Sequence, residues 1–567
     1  MKKIISTVLI LTLVFSLSVN VSAFEFPEPD WGELYYQKLD MVKETEFELY
    51  TEAPINTAPY YGAKFEPVGG AYIGSVPEYA DKLLPLGSYL TNLDAMNNPD
   101  LYYPANVMVK SDDVITMVGW TIYDLDKIDY NFVRSTLATL NSYNKPMFIR
   151  FANEMNVSEL GDDPEAYKKA FRKAADIIHE FPNLAVVWSP NDMGALDRPF
   201  EYFYPGDKYV DWIGVSCYSV KYFRSERDTE YKTSVYFMTG DYSWATNKIK
   251  PIIEFMEKNN INKPLMISEG GVATNNAYGE VYESWTTPRL RNYLWYLIMK
   301  YPQIKMVNYF DVIRKNKKEK FNISDYPYAV DIFNEAKNSG AYITKYGESA
   351  EFVFQPVNKA NTLVAENGKV RLYTLAHVPE IPDLQVNYSI DGKWYHAAFE
   401  IPFVCNLDIS KLSDGKHKLK ISTINNEKEY SFYKKGDCIR FGAQPDDDIV
   451  NRITVEVDGE VVDFDDQQPI IEDGRTLVPL RAIFEKLNAE VIWDGAENIV
   501  TATKDNKTIK LTIGSSKLYV NGEIKTILDV PAKIIKSRTL VPVRAIAESF
   551  DCKVEWDSKT RTVIINL

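Results

Sequence analysis

The chain has 567 residues, a formal net charge of −15 and only 4 histidines. A chain of this length is too long to fold around a single hydrophobic core, so we expect about three domains. The acidic balance argues against nucleic acid or an anionic membrane as a partner. So few histidines leave little for a Ser-His-Asp hydrolase or a histidine-ligated metal enzyme, and neither a metal nor another cofactor is expected.

Residues 1–23 have the pattern of a secretory signal peptide. A basic start, Met1-Lys2-Lys3, precedes an apolar run from Ile4 to Val19 and small residues before Ala23. The acidic, proline-rich segment that follows has no basic stop-transfer cluster, which favours cleavage after Ala23 over a membrane anchor. No later stretch approaches the ~18 uninterrupted apolar residues of a membrane-spanning helix. We therefore expect a secreted protein, extracellular or attached to the cell surface.

From about residue 60 to 346, strand-like apolar runs alternate with helical patterns. Eight such runs predict a (β/α)8 TIM barrel in a domain that spans residues 24–350. One helix begins at Asp163-Pro164, which supplies an aspartate N-cap and a proline in the first turn. The predicted strands are 61–66, 86–93, 114–120, 147–151, 184–188, 212–215, 265–268 and 305–310.

A second domain is predicted at residues 351–441. Short alternating runs, broken by Asp391-Gly392 and by 413–415, indicate a small antiparallel β-sandwich of immunoglobulin-like style. Residues 442–451 have the composition of a linker. The 4 cysteines are too widely spaced for a disulfide scaffold or a zinc site, and a bridge between Cys405 and Cys438 stays open.

The last domain, residues 452–567, contains an internal repeat. The segment RTLVPLRAI at 475–483 recurs 63 residues later as RTLVPVRAI at 538–546, and each copy continues to a Trp-Asp pair, at 493–494 and 556–557. A constant offset predicts a duplicated α+β unit. We expect structural ion pairs for Arg481 and Arg544.

This repeat region resembles the copper amine oxidase N-terminal-like domain of bacterial secreted proteins. It contains no histidine, so a histidine-ligated copper centre cannot be built from it. We expect a role in attachment or spacing, with the cell wall or cell surface as a candidate partner.

Two of the predicted barrel strands lead into a glutamate. The fourth is followed by Asn153-Glu154, and the seventh ends at Ser268-Glu269 before two glycines. In a parallel barrel the carboxyl ends of the strands form the site. Retaining hydrolysis of a glycosidic bond needs one carboxylic acid that protonates the leaving oxygen and one carboxylate that attacks the anomeric carbon. The sequence therefore predicts a retaining glycoside hydrolase.

The chain resembles the clan of (β/α)8 retaining glycosidases, and within it glycoside hydrolase family 26, the β-mannanase family. The resemblance implies that Glu154 is the acid/base, that Glu269 is the nucleophile, and that the substrate is a β-linked polysaccharide, with β-mannan and endo action as the first expectation. The segments that carry it are 62–66, 72–74, 150–156, 187–191, 204–207, 210–214 and 263–269.

The resemblance also implies substrate contacts. Tyr218, at the end of the sixth strand, would hydrogen-bond the nucleophile, and Asn153 would bind the sugar 2-hydroxyl. Trp188 and Asn191 would line the floor of a subsite. Arg150 is a candidate for the site or for an ion pair inside the barrel.

Two residues depart from the family pattern. Asn153 stands where a histidine usually precedes the acid/base, and Tyr309-Phe310 stands where a tryptophan is expected on the eighth strand. Both departures concern the −1 subsite, and Tyr309 is the candidate contact there.

Two other functions fit the sequence. The barrel could be a catalytically silent protein that binds carbohydrate at the cell surface. Alternatively, the chain could be a surface-layer or adhesion protein in which residues 450–567 are the active part.

Overall fold

The computed structural model describes residues 46–76, 82–93, 113–192, 198–219, 244–275, 279–313, 320–377, 384–446, 453–464, 467–535, 538–557 and 561–567. The predicted signal peptide and residues 447–451 of the predicted linker lie outside these ranges. The chain divides into two compact units. The first comprises the described residues up to Ala360 with Arg371–Leu407 and Lys418–Tyr430, and the second comprises Asn361–Val370, Asp408–His417 and Ser431–Leu567. The three-domain division stays a prediction.

Within the described ranges, eight parallel strands of the first unit form a closed barrel. They are β1 (Ala71–Ser75), β2 (Ser88–Leu93), β3 (Ile115–Trp120), β4 (Met147–Phe151), β5 (Leu184–Trp188), β6 (Trp212–Ser219), β7 (Leu265–Val272) and β8 (Ile304–Tyr309). Neighbours pair in chain order, and β8 closes on β1 with Met306 opposite Tyr72. A short strand, Tyr342–Ile343, also pairs with β1. The predicted barrel is therefore confirmed.

Strands β2 to β8 lie where the sequence predicts them, but the prediction for the first strand was wrong. Residues 61–66 form a loop, and β1 begins at Ala71. The Glu66 carboxylate accepts the backbone N–H groups of Tyr61 at 3.1 Å and Ala63 at 3.0 Å, and Phe65 has a φ of 63°. Local hydrogen bonds from a side chain compete with strand pairing, and here they hold the segment as a loop.

Side-chain alternation decides what fills the barrel, since every second residue of a strand points inward. Each strand contributes an inward apolar residue to one buried cluster: Tyr72, Leu90, Met117, Phe148, Val187, Trp212, Met266 and Met306. Two positions further along, β4, β5, β7 and β8 have Arg150, Ser189, Ser268 and Asn308, all fully buried. The interior therefore changes from apolar to polar toward the carboxyl ends of the strands.

The helix Pro164–Ile178 shows why the predicted helices form. Asp163 caps it by accepting the backbone N–H groups of Glu165 and Ala166, and Pro164 lies in the first turn. The other α-helices among the described residues of this unit are Tyr130–Ser142, Ala245–Lys258, Glu283–Arg291, Leu297–Lys300 and Pro327–Lys337, with a π-helical segment at Asn292–Tyr296. In the described ranges, no helix combines the length and the apolar character that a membrane crossing requires.

An antiparallel sheet of the first unit includes the first described strand, Glu46–Ala53. This strand pairs with Val353–Pro356 on one side and with Lys369–His377 on the other, a pairing that the sequence did not indicate. Strand Phe403–Asp408 belongs to the same sheet, and Val386–Ile390 pairs antiparallel with Lys393–Ala398 in another sheet. Further antiparallel sheets thus follow the barrel, and all 4 cysteines are buried free thiols, so Cys405 and Cys438 are not bridged.

In its described residues, the second unit contains mostly antiparallel strands, one parallel pair and two short α-helices. Strand Arg475–Pro479 leads into helix Leu480–Lys486 and strand Glu490–Asp494, and 63 residues later Arg538–Pro542 leads into Val543–Ser549 and Lys553–Asp557. The further strands of this unit in the described ranges include Leu363–Val364, Cys438–Phe441, Thr454–Val457, Glu460–Val461, Ile470–Glu472, Ile499–Lys504, Lys507–Thr512, Lys517–Val520, Glu523–Ile527, Lys533–Ile535 and Thr562–Asn566. Phe484 and Phe550 pack edge-to-face in its core at 5.6 Å.

We predict that replacing Phe148 with alanine lowers the free energy of unfolding of the barrel by about 3–5 kcal/mol, because it empties a packed interior position. Phe148 is fully buried and its ring lies 4.9 Å from that of Trp212. The control is Phe399→Ala, whose side chain is 66% exposed and should change stability by less than about 0.5 kcal/mol. Urea unfolding followed by helical circular dichroism measures both, and equal effects would contradict the assignment of Phe148 to the barrel core.

Candidate active site

Glu154 lies three residues beyond β4 in a turn with left-handed backbone. The φ angles of Ala152 and Glu154 are 48° and 56°. For residues other than glycine such angles cost about 1–3 kcal/mol and concentrate at functional sites. The backbone N–H of Glu154 donates to the carbonyl of Ser189 at 2.8 Å, which ties the turn to the end of β5. The strained turn thus fixes where the Glu154 side chain begins.

Glu269 reaches the mouth of the barrel through a β-bulge in β7. Ile267 pairs with Val215, but the next pair is Glu269 with Ser216, so Ser268 is an extra residue in β7. A bulge re-aims the side chain that follows it. Both Ser268 and Glu269 consequently face the barrel interior, where the Ser268 hydroxyl lies 2.7 Å from that of Ser189.

Arg150 connects the two glutamates. Its side chain is fully buried, with Nη1 at 2.6 Å from Oε2 of Glu269 and Nη2 at 3.9 Å from Oε1 of Glu154. Its Nε donates to the Ser189 hydroxyl at 2.9 Å, and Nη2 donates to the Ser216 hydroxyl. Burying a charge is costly unless it is paired and hydrogen-bonded. The two carboxylates and the two serine hydroxyls meet that requirement for Arg150.

The second oxygen of Glu269 is held by Tyr218. The phenol O–H donates to Oε1 of Glu269 at 2.5 Å. Burial, together with the negative charges of Glu269 and Glu154, raises the pKa of Tyr218 well above its usual range. Because the phenol stays protonated, it remains a hydrogen-bond donor, and both oxygens of Glu269 are engaged.

Glu154 has a more open environment. The Asn191 side-chain amide donates to Oε1 of Glu154 at 3.1 Å, while Oε2 has no hydrogen-bond partner among the described residues. Asn156 positions Asn191 by accepting its backbone N–H at 2.9 Å and donating to its carbonyl at 3.1 Å. The Glu154 side chain is 29% exposed and that of Glu269 is 15% exposed. One Glu154 oxygen is therefore free for a ligand.

Asn153 adds an unsatisfied acceptor beside this site. Its Oδ1 atom is buried and has no hydrogen-bond partner among the residues that the structure describes. A buried acceptor without a partner costs free energy. A ligand hydroxyl would remove that cost.

The structure does not bring Trp188 and Tyr309 to the glutamates. Val187 and Asn308 point into the barrel, so their neighbours Trp188 and Tyr309 point outward, and both are fully buried. The Trp188 ring packs at 5.1 Å from that of Tyr204. The Tyr309 hydroxyl hydrogen-bonds the backbone of Val272. These are the contacts of side chains that pack around the barrel.

The sequence analysis chose Tyr309 rather than Phe310 as the contact on the eighth strand, and it did not identify Lys248. Phe310, the neighbour of Tyr309, packs its ring at 6.0 Å from that of Tyr218. Alternation along β8 could have indicated this. Lys248 donates to the backbone carbonyl of Tyr218 and lies 2.8 Å from the Asp192 carboxylate. No local pattern could have identified Lys248, because its partners come from distant parts of the chain.

Two curated proteins are similar to part of this chain. A β-1,3-xylanase from a Vibrio species is 26% identical over 176 residues, which cover 30% of this chain and 32% of the relative. A β-1,3-xylanase from an Alcaligenes species is 25% identical over 191 residues, with 32% and 34% covered. The alignments thus span about a third of the length of these relatives.

Similar solved structures include two mannanases. The family 26 β-mannanase of Bacteroides ovatus is 14% identical, with 50% of this chain and 92% of the other covered and a TM-score of 0.35. An endo-β-1,4-mannanase double mutant of Cellulomonas fimi is 12% identical, with 67% and 99% covered and a TM-score of 0.33.

Two family models match separate segments. Residues 123–286, which include Glu154 and Glu269, match glycosyl hydrolase family 26, and residues 456–565 match the copper amine oxidase N-terminal domain. The second segment has no histidine, and the described residues include no cluster of three potential metal ligands, so a copper centre does not fit there. Two segments of the chain thus match the two families that the sequence analysis names by resemblance, glycosyl hydrolase family 26 and the copper amine oxidase N-terminal domain.

Proposed function

We propose that this chain is a retaining glycoside hydrolase that cleaves a β-linked polysaccharide by double displacement. One observation carries the proposal: two glutamates from different barrel strands share the buried guanidinium of Arg150. Two carboxylates at the mouth of a barrel are the groups that this reaction requires. The match of the segment around them to glycosyl hydrolase family 26 supports the same reaction class.

The different surroundings of the two carboxylates support their different roles. Glu269 accepts hydrogen bonds on both oxygens, from the Arg150 cation and the Tyr218 phenol. These two donors hold the carboxylate of Glu269 in a fixed orientation, which a nucleophile requires. Glu154 has a neutral amide donor, a longer contact with Arg150 and one free oxygen. A group that exchanges a proton with the substrate needs such an accessible oxygen.

The reaction then follows in two steps. The Glu154 carboxylic acid protonates the glycosidic oxygen as that bond breaks, while a Glu269 oxygen forms an ester bond to the anomeric carbon. The Glu154 carboxylate next takes a proton from a water molecule, whose oxygen attacks the anomeric carbon and displaces Glu269. Both residues return to their starting state. The buried acceptor of Asn153 is available for a sugar hydroxyl during both steps.

Two substrates are the leading candidates. β-Mannan follows from the family resemblance. β-1,3-Xylan is supported by the two curated relatives, whose names state that activity. The asparagine that replaces the usual histidine before Glu154 is compatible with a substrate other than mannan.

The remainder of the chain supports a role outside the cell. We propose that residues 1–23 direct secretion, that residues 351–441 form a β-sandwich, and that residues 452–567 form a duplicated domain for attachment. The 63-residue recurrence of strand, helix and strand supports the duplication.

We predict that Glu154→Gln and Glu269→Gln each reduce hydrolysis by at least about 100-fold, because general acid–base catalysis alone contributes about 10²–10⁴. The measurement is reducing-sugar release from β-mannan and, separately, from β-1,3-xylan. The matched control is Glu159→Gln, an exposed glutamate five residues beyond Glu154, which should retain the wild-type rate. Release of sugar by the wild type from neither polymer nor from other β-glycans would contradict the proposal and favour the alternative, a barrel that binds carbohydrate without cleaving it.

We also predict that azide distinguishes the two roles. With an activated aryl glycoside, Glu154→Ala still forms the glycosyl-enzyme, because a good leaving group needs no proton, and azide then yields a glycosyl azide of retained configuration. Glu269→Ala lacks the nucleophile, so azide should yield the inverted product. Product configuration, measured by NMR, reverses if the roles are exchanged.

A third prediction concerns Tyr218→Phe, which removes the phenol donor from Glu269. We expect kcat to fall by about 10–100-fold, in line with the 1.5–3 kcal/mol of a hydrogen bond to a charged group. Tyr204→Phe is the matched control, because it removes a 2.8 Å hydrogen bond to Asp207 away from the glutamates. Steady-state kinetics of both variants test the proposal, and equal kcat values would contradict the assigned role of Tyr218.

A further inference from the structure

The second unit has two grooves at equivalent places in its repeated sequence. Their cavity volumes are about 630 and 720 Å³, within the range of about 300–1,000 Å³ typical of ligand sites. The first groove is lined by Pro479, Arg481, Glu485, Trp493 and Arg538. The second groove is lined by Pro542, Arg544, Glu548, Trp556 and Arg475. Each of these residues has its counterpart 63 positions away in the other groove.

The register of two central strands explains why there are two grooves. Strands Arg475–Pro479 and Arg538–Pro542 pair antiparallel, with Val478 opposite its own counterpart Val541. Equivalent residues opposite each other create a local twofold axis. The arginine that begins each strand therefore lies beside the helix that follows the other strand, and each groove is completed across the repeat.

Each groove has an exposed tryptophan on one wall. Trp493 is 41% exposed and Trp556 is 37% exposed. Equivalent exposed isoleucines, Ile534 and Ile471, line the first and second groove respectively. A large aromatic ring that is partly open to solvent leaves apolar area uncovered. Its occurrence at the same place in both repeats points to a common ligand.

The sequence analysis expected a structural ion pair for the arginine of each helix, and the structure shows one for Arg544 alone among the described residues. Arg481 is exposed and makes no ion pair with the described residues. Arg544 has only a 3.9 Å contact with Glu548, and both side chains are more than half exposed. Such contacts contribute little to stability. These guanidinium groups remain available as hydrogen-bond donors inside the grooves.

The charges in the grooves favour a neutral ligand. In the first groove, Arg481 and Arg538 are balanced by Asp463 and Glu485. In the second, three basic residues are balanced by three acidic ones: Arg475, Lys525 and Arg544 against Asp529, Glu548 and Glu555. Because neither groove has an excess of positive charge, an anionic polymer gains little there.

We propose that both grooves bind segments of a neutral polysaccharide, with a sugar ring against each tryptophan and its hydroxyls bonded to the arginine and glutamate side chains. A pyranose combines apolar ring faces with hydroxyl edges, which matches an aromatic wall bordered by charged donors and acceptors. Two equivalent grooves suit a polymer that repeats the same unit. Binding at two points then strengthens attachment without any new contact.

The test uses the full-length chain with Glu269→Gln, so that the polymer is not cleaved. Depletion from solution by insoluble β-mannan, β-1,3-xylan and cellulose, each assayed separately, gives the apparent Kd. We expect Trp493→Ala and Trp556→Ala each to weaken binding to at least one polymer by about 10-fold or more, because two-point binding exceeds one-point binding by about 10²–10⁴. The double variant should bind no better than either single variant.

Trp394→Ala is the matched control, because Trp394 is 70% exposed and lies outside both grooves. It should bind like the parent. Arg481→Ala with Arg544→Ala provides a second test that leaves the tryptophan packing intact, and this pair should also weaken binding. Circular dichroism verifies that each variant is folded.

Several results would overturn the proposal. One is equal depletion of the parent and both groove variants. Another is binding of the parent only to an anionic polymer such as polyphosphate, lost in 0.5 M NaCl, because screening weakens charge attraction. Binding to a neutral polysaccharide should instead persist at that salt concentration. Hydrolysis of a soluble oligosaccharide by the Trp493→Ala chain with Glu269 intact should match the wild type, which separates the grooves from the barrel.

Discussion

The positive charge of Arg150 is buried at the polar end of the barrel. The side chains of the proposed active site are arranged around it as its ion-pair and hydrogen-bond partners. A guanidinium without exposure to water requires acceptors in several directions. Glu269, Ser189 and Ser216 supply them, and Glu154 lies within ion-pair distance. The cation therefore brings together side chains from four strands or strand ends, and it offsets the repulsion between two neighbouring carboxylates.

Two local irregularities make these contacts possible. The extra residue Ser268 in β7 turns Glu269 inward, and the left-handed turn after β4 presents Glu154 beside Asn191. Both depart from regular strand geometry, which has a free-energy cost. The regular hydrogen bonding of the surrounding barrel supports them. The proposed division of roles depends on this geometry, since Glu269 is held on both oxygens and Glu154 on one.

The grooves of the second unit depend on a symmetric strand pair, whereas the proposed active site of the barrel depends on two local irregularities. In the central strand pair of the second unit, Val478 lies opposite its repeat counterpart Val541, so features that the two repeats share occur on both sides of a local twofold axis. A single groove with a tryptophan and balanced charges could be incidental. Two grooves with a tryptophan, a glutamate, two arginines and an isoleucine at equivalent positions indicate a property of the repeated unit, and they give the C-terminal unit a proposed role as a polysaccharide-binding module.

Sequence alone determined the strand–helix alternation of the barrel and the 63-residue repeat, and it identified the two glutamates, Asn153 and Asn191 as candidates for the proposed site. These depend on local periodicity and on short motifs, which are visible along the chain. The sequence-based prediction misplaced the first strand. The Glu66 side chain holds residues 61–66 as a loop through hydrogen bonds that a hydrophobic pattern does not reveal. Tertiary structure alone decided that Arg150 joins both glutamates, that Phe310 rather than Tyr309 lies beside Tyr218, and that Trp188 packs outside the barrel. The direction of a side chain depends on register and bulges, which are set by pairing between strands distant in the sequence.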